Sequence, residues 1–360
     1  MSHLWRGVIL EYRDRLPSLE GAPVVTLGEG GTPLIHAAHL SSMVGAEVFV
    51  KYEGVNPTGS FKDRGMTTAI SVAARRGVKA VICASTGNTS ASAAAYATKA
   101  GMTCGVLVPD GKIAMGKLAQ AIAHNAELLQ IRGNFDDCLD IARELAANYP
   151  VHLVNSVNND RIEGQKTAAF EVVEALGDAP DIHIVPVGNA GNYTAYSRGY
   201  GESLARGDST KHPRMFGFQA AGSAPIVLGR VVKNPDTIAS AIRIGNPASW
   251  ELAITARELT NGYFGAISDT HILEAYRILS AEVGIFVEPA SAISVAGLLE
   301  RAAAGQIPKG STVVLTVTGH GLKDPQWALK TADGSAITPT VVSNDTDEVA
   351  GVLGLAKVSV

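Results

Sequence analysis

Lys62 stands in NPTGSFKDRGM, residues 56–66, at a point where a cation is out of place. Asn56, Pro57, Thr58 and Gly59 are turn formers and Ser60 is a good N-cap, so Lys62 falls in the first turn of a helix predicted to run to Arg76. The positive end of that helix disfavours an ammonium group by a few tenths of a kcal/mol to about 1 kcal/mol. A lysine kept there needs a chemical reason. Three loops at strand ends carry groups that could work with it: ASTGNTSAS (84–92), VGNAGNY (187–193) and TVTGHGLKD (316–324). In the first, Ser85, Thr86, Asn88 and Thr89, with the N–H groups opening the next helix, are neutral donors suited to a carboxylate; an ordinary Ser/Thr N-cap would look the same. In the second, GNAGN directly after DIHIVPV offers several N–H groups to a phosphate, since Gly lets backbone approach an anion closely; a plain turn between strand and helix is the alternative.

The elements that position these loops follow from alternation. KAVICAS (79–85), CGVLVP (104–109), ELLQIRG (127–133) and VHLVNSV (151–157) read as strands separated by Ala-rich helical stretches. A second series places strands at DIHIVPVG (181–188), PRMFGFQA (213–220) and STVVLTVTG (311–319), with helices at IEGQKTAAFEVVEALG and SAISVAGLLERAAAG. Strands alternating with helices of this length are the signature of right-handed βαβ units, so the fold class is α/β, two open twisted sheets with helices on both faces. The seam is expected near 50–57 and 150–160, where NSVNNDR interrupts the pattern. This gives a large domain from 1–55 and 156–330, a small one from 56–155, and a polar tail, 331–360, that docks on the body or on a partner subunit. Ligands in such folds collect beyond the carboxyl ends of strands and between domains, where all three loops fall.

Composition removes other classes. The 360 residues are 46% hydrophobic with a net charge of −4 and no long basic run, so a nucleic-acid or membrane-surface role has no support and a small-molecule substrate is expected. Cys83, Cys104 and Cys138 are scattered without C-x-x-C or a His cluster, which points to reduced thiols, a cytoplasmic location and no metal. The N-terminus interrupts its short apolar run with charges, and no stretch reaches about 18 apolar residues, so neither export nor a membrane span is expected. GKIAMGKL (111–118) nearly matches a P-loop, but Leu118 stands where a Mg²⁺-binding hydroxyl is required. No G-x-G-x-x-G with its acidic partner is present either, which removes a nicotinamide dinucleotide fold.

Taken together, a lysine after a turn, a carboxylate cradle, a phosphate cradle and the late-strand hydroxyl of Thr318 resemble the fold type II pyridoxal-phosphate enzymes, the tryptophan synthase β family, over about residues 25 to 325. Within that family GEGGTPL (28–34) with NPTGSFKDRGM is most similar to the threonine synthases, although dehydratases share the TGSFK-x-RG core. The resemblance implies that Lys62 is the Schiff-base lysine, whose amine benefits from a site that depresses its pKa, as a helix N-terminus does. It implies that Gly188, Asn189, Ala190, Gly191 and Asn192 hold the phosphate of pyridoxal 5'-phosphate, Asn88 the ring hydroxyl and Thr318 the pyridine nitrogen. Ser85, Thr86 and Thr89 would take the substrate carboxylate. EPASA (288–292) matches a segment lining the cofactor cleft, with no specific contact carried onto it. A hydroxyl at position 318 cannot hold the ring as a pyridinium, which discourages full transamination.

The reaction implied is that of a carbon–oxygen lyase acting on phosphate: O-phospho-L-homoserine and water to L-threonine and phosphate, by γ-elimination and β-hydration. It needs a second anion site, for which Lys51, Asn155, Ser156 and Arg161 are the candidates, Arg161 being the side chain best suited to bidentate phosphate binding. A threonine or serine dehydratase, which needs no second phosphate site, and a non-catalytic amino-acid-binding relative stay open, the intact Lys62 speaking against the latter. The family implies a homodimer. No appended regulatory module or extended effector-binding segment is expected.

Overall fold

Every residue from Val313 to Val317 is buried, and so is every residue from Ile182 to Pro186, as strands covered by helices on both faces require. The computed structural model describes residues 3–111, 115–133, 135–156, 158–331 and 335–357. The P-loop-like stretch lies partly outside them, at 112–114, as do Val157 of the seam and residues 332–334 and 358–360 of the tail.

Ten strands are described: β1 Leu34–His36, β2 Glu47–Tyr52, β3 Ala80–Ala84, β4 Thr103–Pro109, β5 Glu127–Ile131, β6 Val151–Leu153, β7 Ile182–Pro186, β8 Arg214–Ala220, β9 Tyr263–Ile267 and β10 Thr312–Val317. They make a six-stranded sheet in the order β1-β2-β10-β7-β8-β9 and a four-stranded sheet in the order β5-β4-β3-β6. All pairs are parallel except β1 with β2. The period of two sorts the small sheet's side chains: Val81, Cys83, Val106 and Val108 pack with the Lys62–Arg75 and Asn88–Lys99 helices, while Ile82, Ala84 and Leu107 face Cys138 and Ala142 of the Phe135–Asn148 helix. In the large sheet Val185, Met215 and Val314 meet the Asn159–Leu176 and Gly191–Arg206 helices, and Phe218 lies against Gly297 of the Pro289–Ala303 helix. The expected α/β class with two helix-covered sheets is therefore what the chain adopts. The short β1, and β9 with the Trp250–Leu259 and Asp269–Ala281 helices beside it, were not anticipated from pattern.

The described residues up to Asp324 form one compact unit holding both sheets, and those from Pro325 onward form a second. This second unit holds the tail expected at 331–360 together with residues 325–330. It contains a short 3₁₀ turn, Pro325–Trp327, an antiparallel bridge from Lys330 to Ala336, and the helix Thr346–Val352, capped by the Asp345 side chain. Among the described residues no helix is long and apolar enough to cross a membrane. Cys83, Cys104 and Cys138 are buried and unbridged.

One buried ionic cluster ties the lysine helix to the large sheet. Arg64 donates from Nε and Nη2 to Glu53 at 2.7 and 2.8 Å, and from Nη1 and Nη2 to Glu171 at 2.5 and 2.8 Å. Lys51 at the end of β2 completes the charge balance, its Nζ lying 2.6 Å from both Glu171 Oε2 and the Thr32 carbonyl. The GEGGTPL segment closes the cluster, Gly31 N–H donating to Glu171 and the Thr32 hydroxyl to Glu53. Two cations against two carboxylates leave no net charge in this cluster. The charges of Arg64 and Lys51 outweigh burial and hold the Glu171 carboxyl down at about 2.

Removing one partner strands its counter-charges. Arg64→Ala is expected to lose about 3–5 kcal/mol of stability, read as a lowered urea midpoint. In the wild type, Glu171 contributes fully above its ordinary value of 4.5 and the contribution is lost as pH falls from there toward about 2. The loss is on the order of 3 kcal/mol, and Glu171→Gln should flatten that part of the pH profile.

Candidate active site

The segment leading to Lys62 is pinned by backbone bonds to the end of β10. Ser60 forms a bridge with Gly319, the Phe61 N–H donates to the Thr318 carbonyl at 3.0 Å, and the His320 N–H donates to the Gly59 carbonyl at 2.9 Å. This extended pairing takes Ser60 out of the capping role expected of it. The helix begins at Lys62 with Phe61 in the cap position and no side-chain cap, and among the described residues the buried Ser60 hydroxyl has no partner. Asp63 fixes the preceding turn instead, accepting from the Thr58 N–H at 2.7 Å and from the hydroxyls of Thr58 and Ser92 at 2.6 Å each. Burial outweighs those three bonds and pushes the Asp63 carboxyl up to about 6.

Lys62 is only partly screened from solvent, yet its Nζ lies within the protein, 4.1 Å from the centre of the Phe61 ring. Among the described residues it makes no hydrogen bond. Burial, reinforced by the charge of Arg161 and opposed by that of Glu288, brings its pKa down to about 7, so the neutral amine is well populated at neutral pH. Arg161 comes near because two helices cross backbone to backbone: a Cβ at Gly164 would lie 1.9 Å from the Arg64 carbonyl oxygen, so only glycine permits this approach. Arg161 is buried, donates from Nη1 to the Val154 carbonyl at 3.1 Å, and leaves Nε without a partner. Burial lowers its pKa to about 10, so it stays cationic at neutral pH, and among the described residues no carboxylate pairs with it.

Around this pair stand three neutral or tunable groups. Asn88 opens the Asn88–Lys99 helix, capped by the Gly87 backbone rather than a Ser or Thr side chain, and its Nδ2 donates to Glu288 Oε1 and Oε2 at 2.9 and 3.2 Å. Burial pushes the Glu288 carboxyl up to about 7. Thr318 follows β10 and is held by Ser291, whose Oγ accepts the N–H groups of Thr318 and Gly319 at 2.9 and 2.8 Å. With its lone pairs so engaged, Ser291 has its own proton for Thr318 Oγ1 at 2.9 Å or the Gly319 carbonyl at 3.4 Å, and the shorter contact leaves the Thr318 hydroxyl proton to donate onward.

The GNAGN loop forms an anion cradle. Ala190 takes the left-handed conformation, φ 64°, unusual for a residue with a Cβ, and directs the chain into the Gly191–Arg206 helix. The side-chain amide of Asn189 accepts from the Ala248 N–H, its carbonyl accepts from the Ser249 N–H, and its Nδ2 reaches Ser156 Oγ at 3.4 Å. Among the described residues the N–H groups of Gly188, Asn189, Ala190 and Gly191 donate to no protein acceptor, and the buried Asn192 Nδ2 has no partner. A Cβ at Gly191 would meet only Ser249 Oγ, at 3.5 Å, so the space above the cradle is open.

Of the remaining expected residues, Ser85, Thr86 and Thr89 share the loop with Asn88, Ser85 and Thr86 half-buried and Thr89 buried. Two others are otherwise employed. Lys51 does not join the site, because its Nζ is taken by Glu171 and the Thr32 carbonyl. The Asn155 amide spends both ends on the Ala84 backbone, at 2.9 Å each, and so positions Ser85 rather than facing a ligand. Pattern reading missed Glu288 and Ser291 as contacts although both lie in EPASA, and missed Lys323, half-buried near Asp63 and Glu288 and bonded to Gln120. The only sequence signal for Ser291 was its place one turn inside a Pro-initiated helix.

A nucleophilic amine, an open cradle of N–H donors, an unpartnered buried amide and a hydroxyl free to donate fit the aldehyde, phosphate and ring of pyridoxal phosphate. The comparisons agree. Residues 25–319 match the family described as pyridoxal-phosphate dependent enzyme. The chain is 60% identical over 353 residues to the threonine synthase of Mycobacterium tuberculosis, covering 98% of this chain and 97% of that one. It is 54% identical to the threonine synthase of Halalkalibacterium halodurans, covering 95% of each. Among solved structures, threonine deaminase isoform 2 from Solanum lycopersicum has a TM-score of 0.72 at 20% identity, over 86% of this chain and 84% of that one. Maize serine racemase has a TM-score of 0.71 at 20% identity, over 85% and 94%. At that identity the structures speak for the fold, while the sequence relatives speak for the family: the chain belongs to the fold type II pyridoxal-phosphate dependent enzymes, in the threonine synthase family.

Proposed function

We propose that this protein converts O-phospho-L-homoserine and water to L-threonine and inorganic phosphate. Arg161 carries the reading: a buried cation with an open Nε and, among the described residues, no carboxylate beside it calls for an anionic ligand near Lys62, which a phosphorylated substrate supplies. The sequence relatives support the same activity.

When bound, pyridoxal phosphate supplies an electron sink that makes protons on the substrate carbons removable. The residues of this chain do the rest. Gly188, Asn189, Ala190, Gly191 and Asn192 would hold the cofactor phosphate, Thr318 would donate to the ring nitrogen, and Asn88 would take the ring hydroxyl. Ser85, Thr86 and Thr89 orient the substrate carboxylate. Lys62, neutral at working pH, takes the proton from Cα and then one from Cβ. Arg161, with Ser156, holds the phosphate that leaves from Cγ. Residues 56–155 act as a small domain against a large one made of 1–55 and 156–330, a division supported by sheet membership. The resemblance to the family supports a homodimer in the cytoplasm, and a light-scattering mass of one chain would count against the dimer.

The apo-protein should capture pyridoxal phosphate at a rate that rises with pH and levels off above about 7, as the neutral fraction of Lys62 saturates. A rate still climbing about tenfold per unit at pH 8–9 would mean an unperturbed lysine. Stopped-flow absorbance makes the measurement.

Phosphate release from O-phospho-L-homoserine, with threonine as product, tests the function directly. Arg161→Ala should lower kcat/KM for this substrate by about one to two decades, a charge-assisted bond being worth roughly 1.5–3 kcal/mol, and leave the cofactor's absorbance response to unphosphorylated threonine nearly unchanged. Equal loss with both ligands would make Arg161 structural. Rapid ammonia release from threonine, with no phosphate from O-phosphohomoserine, would make the protein a dehydratase.

A further inference from the structure

Glu288 is a carboxyl group that the proposed reaction leaves unused although its charge acts directly on Lys62. It caps the Pro289–Ala303 helix on the large sheet, and its N–H is held by the Gly319 carbonyl at 3.1 Å. Its carboxylate lies over Gly319, where a Cβ would come within 2.3 Å of Oε1. From there it reaches Asn88, which belongs to a helix packed on the small sheet, with both oxygens turned to the same nitrogen. An ionised carboxylate only accepts, so it selects the nitrogen end of the amide and turns the Asn88 carbonyl oxygen the other way. A protonated carboxyl keeps an accepting oxygen and gains an O–H to give, so the acid, unlike the carboxylate, can also pair with Oδ1. The amide turns over about its terminal torsion, a broad and roughly two-fold rotation, and presents Nδ2 outward.

We propose that Glu288 is a positioning residue for the cofactor, its own protonation deciding which end of the Asn88 amide faces the cofactor ring. The inference rests on the cofactor site described above. An ionised ring oxygen is stabilised by a donor and opposed by a carbonyl oxygen, so occupancy of the site by that anion favours the donor-facing amide. One proton then moves from solvent onto a Glu288 oxygen, and no other bond is made or broken. The charged groups facing Glu288 are Lys62 from the lysine helix and Lys323 and Asp324 beyond β10; the nearby His320 ring packs instead against Tyr52 and Phe286. Lys323 and Lys62 favour the carboxylate, Asp324 and burial favour the acid, and the balance near 7 leaves both forms accessible at neutral pH.

The test uses the holo-protein, with pH titration of the bound cofactor's absorbance between about 5.5 and 9, together with proton uptake on adding pyridoxal phosphate to the apo-protein, measured in buffers of different ionisation heat. The wild type should show a one-proton spectral step over that range and, at pH about 8, where the free carboxyl is mostly ionised, net uptake approaching one proton per site beyond that due to the cofactor and Lys62. Glu288→Gln has no proton to exchange and should lose both, while its circular dichroism stays that of the wild type. Asn88→Ala, which leaves Glu288 in place and removes the responding amide, should lose the spectral step as well, and covers the case of a poorly folding Gln variant. A spectral step that persists in either variant overturns the proposal, and so does a wild type that carries cofactor on Lys62 and shows no step. A wild type in which the cofactor is absent, or is mapped to another lysine after borohydride reduction, overturns the site assignment itself.

Discussion

Arg64 between Glu53 and Glu171 is the interaction on which the position of everything else depends. The lysine helix must approach the Asn159–Leu176 helix to backbone contact at Gly164, and a guanidinium two residues beyond Lys62 makes that approach directional as well as close. Its planar fork fits two carboxylates side by side, one from the short turn after β2 and one from the facing helix. Lysine at position 64 would satisfy one of them as a point charge and leave the geometry loose. GEGGTPL belongs to the same cluster, through Gly31 and Thr32, which ties the chain entering the fold to the helix that carries the nucleophile.

Arg161 offers the contrast. Both arginines are buried, both sit near the start of a helix, and each has a guanidinium removed from water. Arg64 has every direction of its fork filled, and burial is compensated within the fold. Arg161 has a carbonyl on one nitrogen and nothing on Nε. A desolvated charge left in that state is costly, and proteins tolerate it where a ligand completes it. The same cation helps to depress the Lys62 amine, so in the proposed reaction one unsatisfied group would both receive the anion and help keep Lys62 neutral.

The polar groups proposed to meet the cofactor ring are likewise set by their own neighbours. Ser291 takes two backbone N–H groups and has its own proton to give, with Thr318 the nearer acceptor, so Thr318 keeps a proton to donate. A donating hydroxyl suits an unprotonated ring nitrogen and gives a weaker electron sink than a carboxylate would. Glu288 and Asn88, beside the same strand end, follow the same rule of donor and acceptor, with the proton of the proposed switch as the adjustable part.

Much of this was legible in the sequence because local chemistry and period decide it. The strands from 79 to 157 and from 181 to 319, the loops at their carboxyl ends and the lysine in NPTGSFKDRGM all follow from alternation, glycine placement and capping. β1 and β9 escaped, the first because three residues make no pattern, the second because it lies beyond a long irregular stretch. What the tertiary structure alone decided is which polar groups are left over. Lys51 and Arg161 are both cations flanking the seam, and nothing in their local sequence separates them. Lys51 meets Glu171, distant in sequence, and is consumed; Arg161 meets a single carbonyl and is not. Asn155 reads as a free amide until Ala84 is brought against it, and Ser60 reads as a cap until Gly319 pairs with it. Whether a hydrogen-bonding group is satisfied depends on partners from far along the chain, so the residue types were written in the sequence, and their availability for chemistry was settled only by packing.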